Sequence, residues 1–333
     1  MGEDSASAQD HSSSLAYDLH GLRIAFESDA LLATALRERL GQLPPAPLGP
    51  ADLTFTFRST PTPAEHVVDL PPPGARLVYA SDLGEFRYDE TSGALFIVCG
   101  DRVRTRCDAA RGWVQTSIVG MKAADLWLLS HPLVTIPLLE MAKHRGLFSL
   151  HASAVAIDGA CLIFPGASGS GKSTLALALA RGGWDLLGDD MLFLTPGRDG
   201  PLVRAFPEPI DITDQTITLF AELGDLGAVP KQPGWPKRQL PLPERYGTRI
   251  AWACRPAALI FPRVAHRACS ALSPMDRDEA LLELVPNVFL TEDRATQAHL
   301  DALASLVGQC ACYRLETGSD LDALPSLLQP LLA

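Results

Sequence analysis

Apolar and polar positions change rhythm twice along this chain. In DLHGLRIAFES (18–28) they alternate, which predicts a strand. Asp29 then stands at an N-cap position, and ALLATALRERLG predicts a short amphipathic helix that stops at Gly41. PPAPLGP (44–50) reads as a loop. Short β-like runs follow: LTFTF (53–57), HVVDL (66–70), RLVYA (76–80), EFRYD (85–89), ALFIVC (94–99) and RVRTRC (102–107). Turn signals such as PPPG and TSG separate them, and this spacing predicts an antiparallel sheet. His20 and His66 are isolated here and read as satisfied structural side chains.

From Ala123 the rhythm turns helical. DLWLLSHPLVTIPLLEMAKHRG (125–146) carries apolar residues at helical spacing, broken by Pro132 and Pro137, and its basic end suits a helix C-terminus. It reads as a pair of core-packing helices. The pattern then becomes strand-like. LFSLHASAVAI (147–157) and ACLIFP (160–165) flank Asp158-Gly159, a dipeptide that favours a tight hairpin. STLALALARGG (173–183) predicts a helix, WDLLGDD (184–190) a strand ending in two carboxylates, and MLFLT (191–195) a further strand. The remainder predicts a strand at 257–261, helices at 277–285 and 294–308, and a strand at 312–317. These changes divide the chain into a tail (1–15), expected to be disordered, a β-rich α+β N-terminal domain (16–122) and an α/β domain (123–333).

Composition narrows the function classes. The net charge of −11 lacks the basic excess that a nucleic-acid binder uses against phosphates. Seven cysteines, odd in number and with no C-x-x-C, argue for reduced thiols in a cytoplasmic protein and against a disulfide framework or a zinc site. The first residues resemble no secretory signal, and no run approaches the ~18 apolar residues of a membrane helix.

The candidate chemistry sits between the hairpin and the strand that ends in carboxylates. Gly166-Ala167-Ser168-Gly169-Ser170-Gly171-Lys172-Ser173 fits G-x-x-x-x-G-K-[ST] at every fixed position, and Thr174 follows. Glycines let backbone N–H groups turn inward into an anion-binding nest, and the next helix aims its positive end at the same point. Lys172 is expected at the β- and γ-phosphates and the Ser173 hydroxyl at Mg²⁺. Asp189 and Asp190 follow one helix and one strand later. One of the two can hold the metal and the other can accept a proton from an attacking hydroxyl.

His151, the glycine loop and Asp189-Asp190 together resemble the HPr kinase/phosphorylase family. They resemble more loosely the phosphoenolpyruvate carboxykinase-like group of P-loop kinases. The likeness is specific over about 147–195. It implies a P-loop kinase fold with a mixed central sheet, with ATP and Mg²⁺ bound. It also implies His151 beside the γ-phosphate, Asp190 as proton acceptor and Asp189 as a support for Mg²⁺ or water. The family's members form rings, so a homo-oligomer is a further expectation. The E-I-R-G-type metal segment of the bifunctional members is not found. FPEPIDI (206–212) offers Glu208 as a substitute ligand. Nor does the N-terminal region resemble the usual partner domain. Both departures point to a kinase-only relative that phosphorylates a serine-type hydroxyl on a peptide or protein. The alternatives are a metabolite kinase or carboxykinase-like enzyme, and a nucleotide-binding regulatory protein without turnover.

One basic, proline-rich stretch completes the reading. KQPGWPKRQLPLPERYGTR (231–249) holds Lys231, Lys237, Arg238, Arg245 and Arg249 against Glu244 alone. It reads either as a solvated loop or as a mobile lid over the triphosphate, with Lys237 and Arg238 as its contacts.

Overall fold

The computed structural model describes residues 12–198, 200–291 and 293–332. Its contacts divide the chain after Pro137 into two compact units, a later division than the expected one at 122/123.

The first unit is built on one sheet of β1 (Ser12–Leu19), β2 (Leu22–Asp29), β3 (Leu53–Thr60), β4 (Arg76–Ser81), β5 (Gly84–Asp89), β6 (Ala94–Cys99), β7 (Val103–Asp108) and β8 (Trp113–Val119). Within the expected tail, residues 1–11 lie outside the described residues, whereas 12–15 belong to β1 and pair with β2. The single strand expected at 18–28 is a hairpin. His20 (φ 55°) and Gly21 (φ 91°) both take the left-handed conformation that a two-residue hairpin turn requires.

Strand order is β1-β2-β3-β8-β7-β6-β5-β4, and the sheet is mixed rather than antiparallel. β2 and β3 run parallel because α1 (Ala30–Leu40) crosses between them, with Asp29 Oδ1 accepting from the Leu32 N–H as the cap. β3 is also parallel to β8, a strand absent from the expected set. The expected strand at 66–70 does not form, since prolines flank it and only Val68 is buried. His66 nevertheless bonds Ser117 Oγ at 2.8 Å and the Asp101 carbonyl at 3.0 Å, so it is structurally satisfied as expected. α2 (Leu126–Ser130) and the start of α3 (Pro132–Lys143) stay with this unit because buried Arg39 of α1 reaches the Ser130 carbonyl, the His131 carbonyl at 3.3 Å and Thr135 Oγ1.

The second unit is a mixed α/β assembly. Its strands are β9 (Phe148–Leu150), β10 (Ala152–Ile157), β11 (Ala160–Pro165), β12 (Asp185–Gly188), β13 (Leu192–Thr195), β14 (Leu202–Ala205), β15 (Ile210–Ile212), β16 (Arg238–Leu240), β17 (Ala253–Val264), β18 (Ala271–Pro274) and β19 (Ala311–Thr317). The main order is β12-β10-β11-β17-β14-β13-β9. The long β17 forks the sheet: its first residues pair with β14 and its later ones with β19. The carboxylate strand β12 therefore lies beside β10, one strand away from β11 rather than next to it as expected. Asp158 (φ 49°) and Gly159 (φ 81°) make the anticipated hairpin turn between β10 and β11.

Both faces of this sheet are covered, which is why its strands are apolar runs. On one face Val155, Leu162 and Phe164 pack with Leu175, Leu179 and Leu324. These come from α4 (Lys172–Arg181) and, at the end of the chain, α10 (Leu324–Leu328). Between them run α5 (Asp214–Leu219), α6 (Gly224–Gly227), α7 (Leu242–Tyr246), α8 (Arg277–Leu284) and α9 (Asp293–Gln309). On the other face Ala154, Cys161 and Ile163 pack with Leu284, Leu303 and Leu306. The seven cysteines are free, five of them buried. No helix among the described residues is long and apolar enough to cross a membrane.

Candidate functional site

Strand directions gather the candidate residues at one end of the second unit's sheet. β10 is antiparallel to both β11 and β12, so the carboxyl ends of β11 and β12 and the start of β10 share that end. The register pairs Ala152 with Pro165, which sets His151 beside the first residue of the glycine loop. It also pairs Ala154 with Gly188, which sets Ser153 across from Asp189. His151 occupies the point where the chain leaves its pairing with β13 and takes up pairing with β11. The strand expected over 147–157 is therefore two, β9 and β10.

β11 runs directly into residues 166–171, and α4 begins at Lys172. Gly166, Gly169 and Gly171 have φ of 150°, 83° and 99°, a conformation that glycine adopts without strain. At Gly166 a Cβ would also stand 2.8 Å from Ser170 Oγ. Ala167, Ser168 and Gly169 are exposed, whereas Lys172 is buried. Gly171 caps α4 without a side chain, so the positive end of the helix dipole has no carboxylate or hydroxyl of its own cap residue against it. Lys172 Nζ donates to the carbonyls of Gly166 (2.7 Å) and Ala167 (3.2 Å), folding back over the loop. Burial lowers the Lys172 pKa, and Asp190 and Asp189 act in the opposite direction.

Asp189 is the most constrained of the carboxylates. Ser153 Oγ donates to its Oδ1 at 2.7 Å and also contacts its main-chain carbonyl. Oδ2 is buried and has no hydrogen bond of normal geometry, although the Ser173 hydroxyl is close enough to favour the ionised form. Burial and the neighbouring Asp190 nonetheless push the carboxyl up to about 7. Gly188 secures this geometry. A Cβ there would lie 2.5 Å from the Met191 carbonyl oxygen and 3.0 Å from that of Phe206. Gly188→Ala is therefore expected to destabilise the chain by about 1–3 kcal/mol in urea unfolding.

His151 Nδ1 donates to the Asp190 main-chain carbonyl at 2.9 Å, so that nitrogen carries the proton. Burial and then Lys172 lower its pKa, so the ring is neutral at pH 7. This imidazole is a polar, uncharged group with a lone pair on Nε2. Asp190 is half-buried and exerts its charge on His151, Lys172 and Asp189 alike. His151, Lys172, Asp189 and Asp190 thus form one cluster, with Ser173 at its edge.

The sequence reading missed Asp211. It lies on β15, whose ribbon with β16 packs Ile210, Ile212 and Leu240 against the side of α4. Burial raises the Asp211 carboxyl to about 6; Asp190 and Glu208 raise it and Lys237 lowers it. Lys237 Nζ stands 3.9 Å from Asp211 Oδ2 and its charge is felt by His151 and Lys172. Asp211 shares the FPEPIDI segment with Glu208, so the segment was legible but the residue was not. The rest of the basic stretch makes ion pairs within the chain. Arg238 is bound by Asp214 and by the Val229 carbonyl at 3.0 Å, Arg245 pairs with Asp225 at 3.0 Å, and Arg249 with Asp185 at 3.0 Å. Lys231 sits 3.6 Å from Asp214. The guanidinium expected at the nucleotide, that of Arg238, is thus engaged by Asp214 and main-chain carbonyls of this chain.

A divalent cation fits the donor set. Ser173 Oγ and the unsatisfied Asp189 Oδ2 are hard oxygens of the kind Mg²⁺ takes. Among the described residues no group of three or more His, Cys, Asp or Glu side chains is placed to hold a metal. Mg²⁺ is ordinarily bound through one or two protein oxygens, with water and phosphate completing its shell.

No protein-family model matches this chain, and no curated protein matches it. Among solved structures it is similar to the HPr(Ser) kinase/phosphatase from Coxiella burnetii, at 14% identity and a TM-score of 0.30. That likeness covers 55% of this chain and 92% of the other. So distant a relationship carries no information about activity, which rests on side-chain geometry.

Proposed function

We propose that this chain is an ATP- and Mg²⁺-dependent kinase that transfers the γ-phosphoryl group to a serine-type hydroxyl of a peptide or protein. The single observation that supports it most is the gathering of Lys172, Asp189, Asp190 and neutral His151 at the mouth of one glycine loop. In this reading the loop N–H groups and Lys172 hold the phosphates, and Lys172 leaves the Gly166 and Ala167 carbonyls to do so. Ser173 and Asp189 would hold Mg²⁺, whose contribution is to neutralise charge on the β- and γ-phosphates. Asp190 accepts the proton of the attacking hydroxyl as its oxygen bonds to the γ-phosphorus. The bond from that phosphorus to the bridging oxygen breaks, and ADP leaves. His151 holds the Asp190 main chain and offers Nε2 as an uncharged acceptor. Positioning and charge neutralisation account for the rate in such a site.

The test is transfer of labelled γ-phosphate from ATP into a serine-containing peptide library and a metabolite panel, read by mass spectrometry. Lys172→Ala should weaken ATP binding by at least ~10-fold and abolish transfer. Label in metabolites alone would move the acceptor to a small molecule. Saturable ATP binding with no transfer to any acceptor would mark a regulatory module and overturn the kinase reading.

A further inference from the structure

The opposite flank of the glycine loop carries a feature that the phosphate chemistry does not use. β11, β17 and β19 are parallel neighbours, so their carboxyl ends share the end of the sheet occupied by the site. Crevices at such ends, between neighbouring strands, are where ligands of α/β sheets are held. The carboxylates Asp189 and Asp190 lie on the β12 side of the loop; β17 and β19 lie on the other side. A triphosphate whose terminal phosphorus faces the carboxylates therefore extends its nucleoside toward β17 and β19.

Val264 ends β17 there. The residue is 55% exposed, and its Cγ2 is 3.3 Å from the position a Cβ on Gly171 would take. An apolar side chain thus borders the phosphate loop and remains open to a ligand. The segment after it is built as a rigid rim. The Ala265 N–H donates to the Thr317 carbonyl at 2.9 Å, and the Ser319 N–H to that of Arg267 at 3.0 Å. Asp320 Oδ1 accepts from the Ser270 N–H (2.8 Å) and hydroxyl (2.6 Å), and Ser270 Oγ accepts from the Gly318 N–H at 2.9 Å. Gly318 has no room for a side chain: a Cβ would stand 2.7 Å from the Cys269 carbonyl carbon. The ion pair of Arg267 with Glu316 ties the rim to β19. Along this flank two hydroxyls, Ser170 Oγ and Thr317 Oγ1, are buried without a hydrogen-bond partner, as buried polar atoms seldom are. The exposed His266 carries the one aromatic ring on the rim segment 263–270.

We infer that the rim from Val264 to Arg267 is the nucleoside subsite, with the base of a nucleoside triphosphate against Val264 and His266. This rests on the nucleotide reading of the glycine loop and adds where the rest of the ligand goes. A preorganised rim gains apolar contact without ordering a loop, so it raises affinity at little entropic cost.

The experiment measures MgATP and magnesium tripolyphosphate binding by calorimetry to the full chain, to Val264→Ser, to His266→Ala, to the double variant and to Lys172→Ala. Tripolyphosphate carries the phosphates without the nucleoside. The double variant should bind MgATP about fivefold or more weakly, while tripolyphosphate changes by less than about twofold. Lys172→Ala should lose both. Unchanged ATP affinity in the double variant would overturn the subsite. So would an equal loss for tripolyphosphate, which would mean a distorted loop. A wild-type chain that binds neither ligand would sink the nucleotide reading itself, and the subsite with it.

Discussion

Asp190→Asn should bind MgATP within about threefold of the wild-type affinity and transfer phosphate about 10²–10⁴-fold more slowly. The amide keeps the size of the side chain and cannot accept a proton from the attacking hydroxyl. The His151 contact survives, because it is made to the Asp190 main-chain carbonyl and not to the carboxylate. Nucleotide titration and single-turnover transfer on the same preparation separate the two effects. A variant that loses ATP binding in step with transfer would make Asp190 a ligand-holding residue and remove it from proton transfer.

Asp189→Asn should have the opposite signature on the free protein. With the Asp189 carboxyl pushed up to about 7, the fold binds this proton more tightly than the unfolded chain does. The sign follows from linkage: the group costs nothing below its ordinary value near 4, and stability falls as pH rises from there toward 7. Above pH 7 the fold carries a buried anion whose Oδ2 has no hydrogen bond of normal geometry. Removing that charge should stabilise the nucleotide-free chain at pH 8 by about 2–4 kcal/mol, and should leave it near wild type at pH 4. Thermal unfolding across pH reads this directly. The same substitution should abolish the stabilisation that MgATP gives. In the wild type, that stabilisation should be larger at pH 8 than at pH 5.5, since the ligand favours the ionised carboxylate. A wild-type melting profile that is flat between pH 4 and 8 would contradict the assignment. A site residue that weakens the empty fold is a usual trade of stability for function.

Asp189 and Ser153 also illustrate what was legible. The two carboxylates were visible as a pair at the end of a short strand, but their different surroundings were not. Ser153 is an unremarkable residue in an alternating strand, and becomes the anchor of Asp189 only because Ala154 pairs with Gly188. Asp211 and Lys237 were separated by a long stretch of sequence and met through the β15–β16 ribbon. The basic stretch was conspicuous in composition, yet Asp214, Asp225 and Asp185 neutralise most of it.

By itself the sequence determined the local elements whose cause is local. The Asp29 cap, the Asp158-Gly159 hairpin, the glycine loop with its lysine and hydroxyl, and the helix after it all depend on residues within a few positions of one another. Tertiary structure alone decided what depends on partners far along the chain. It set which strand flanks the loop strand, the break at His151 and the mixed sheet of the first unit. It also set the protonation preferences of Asp189, Asp211 and His151, because burial and the distance to other charges exist only once the chain has packed.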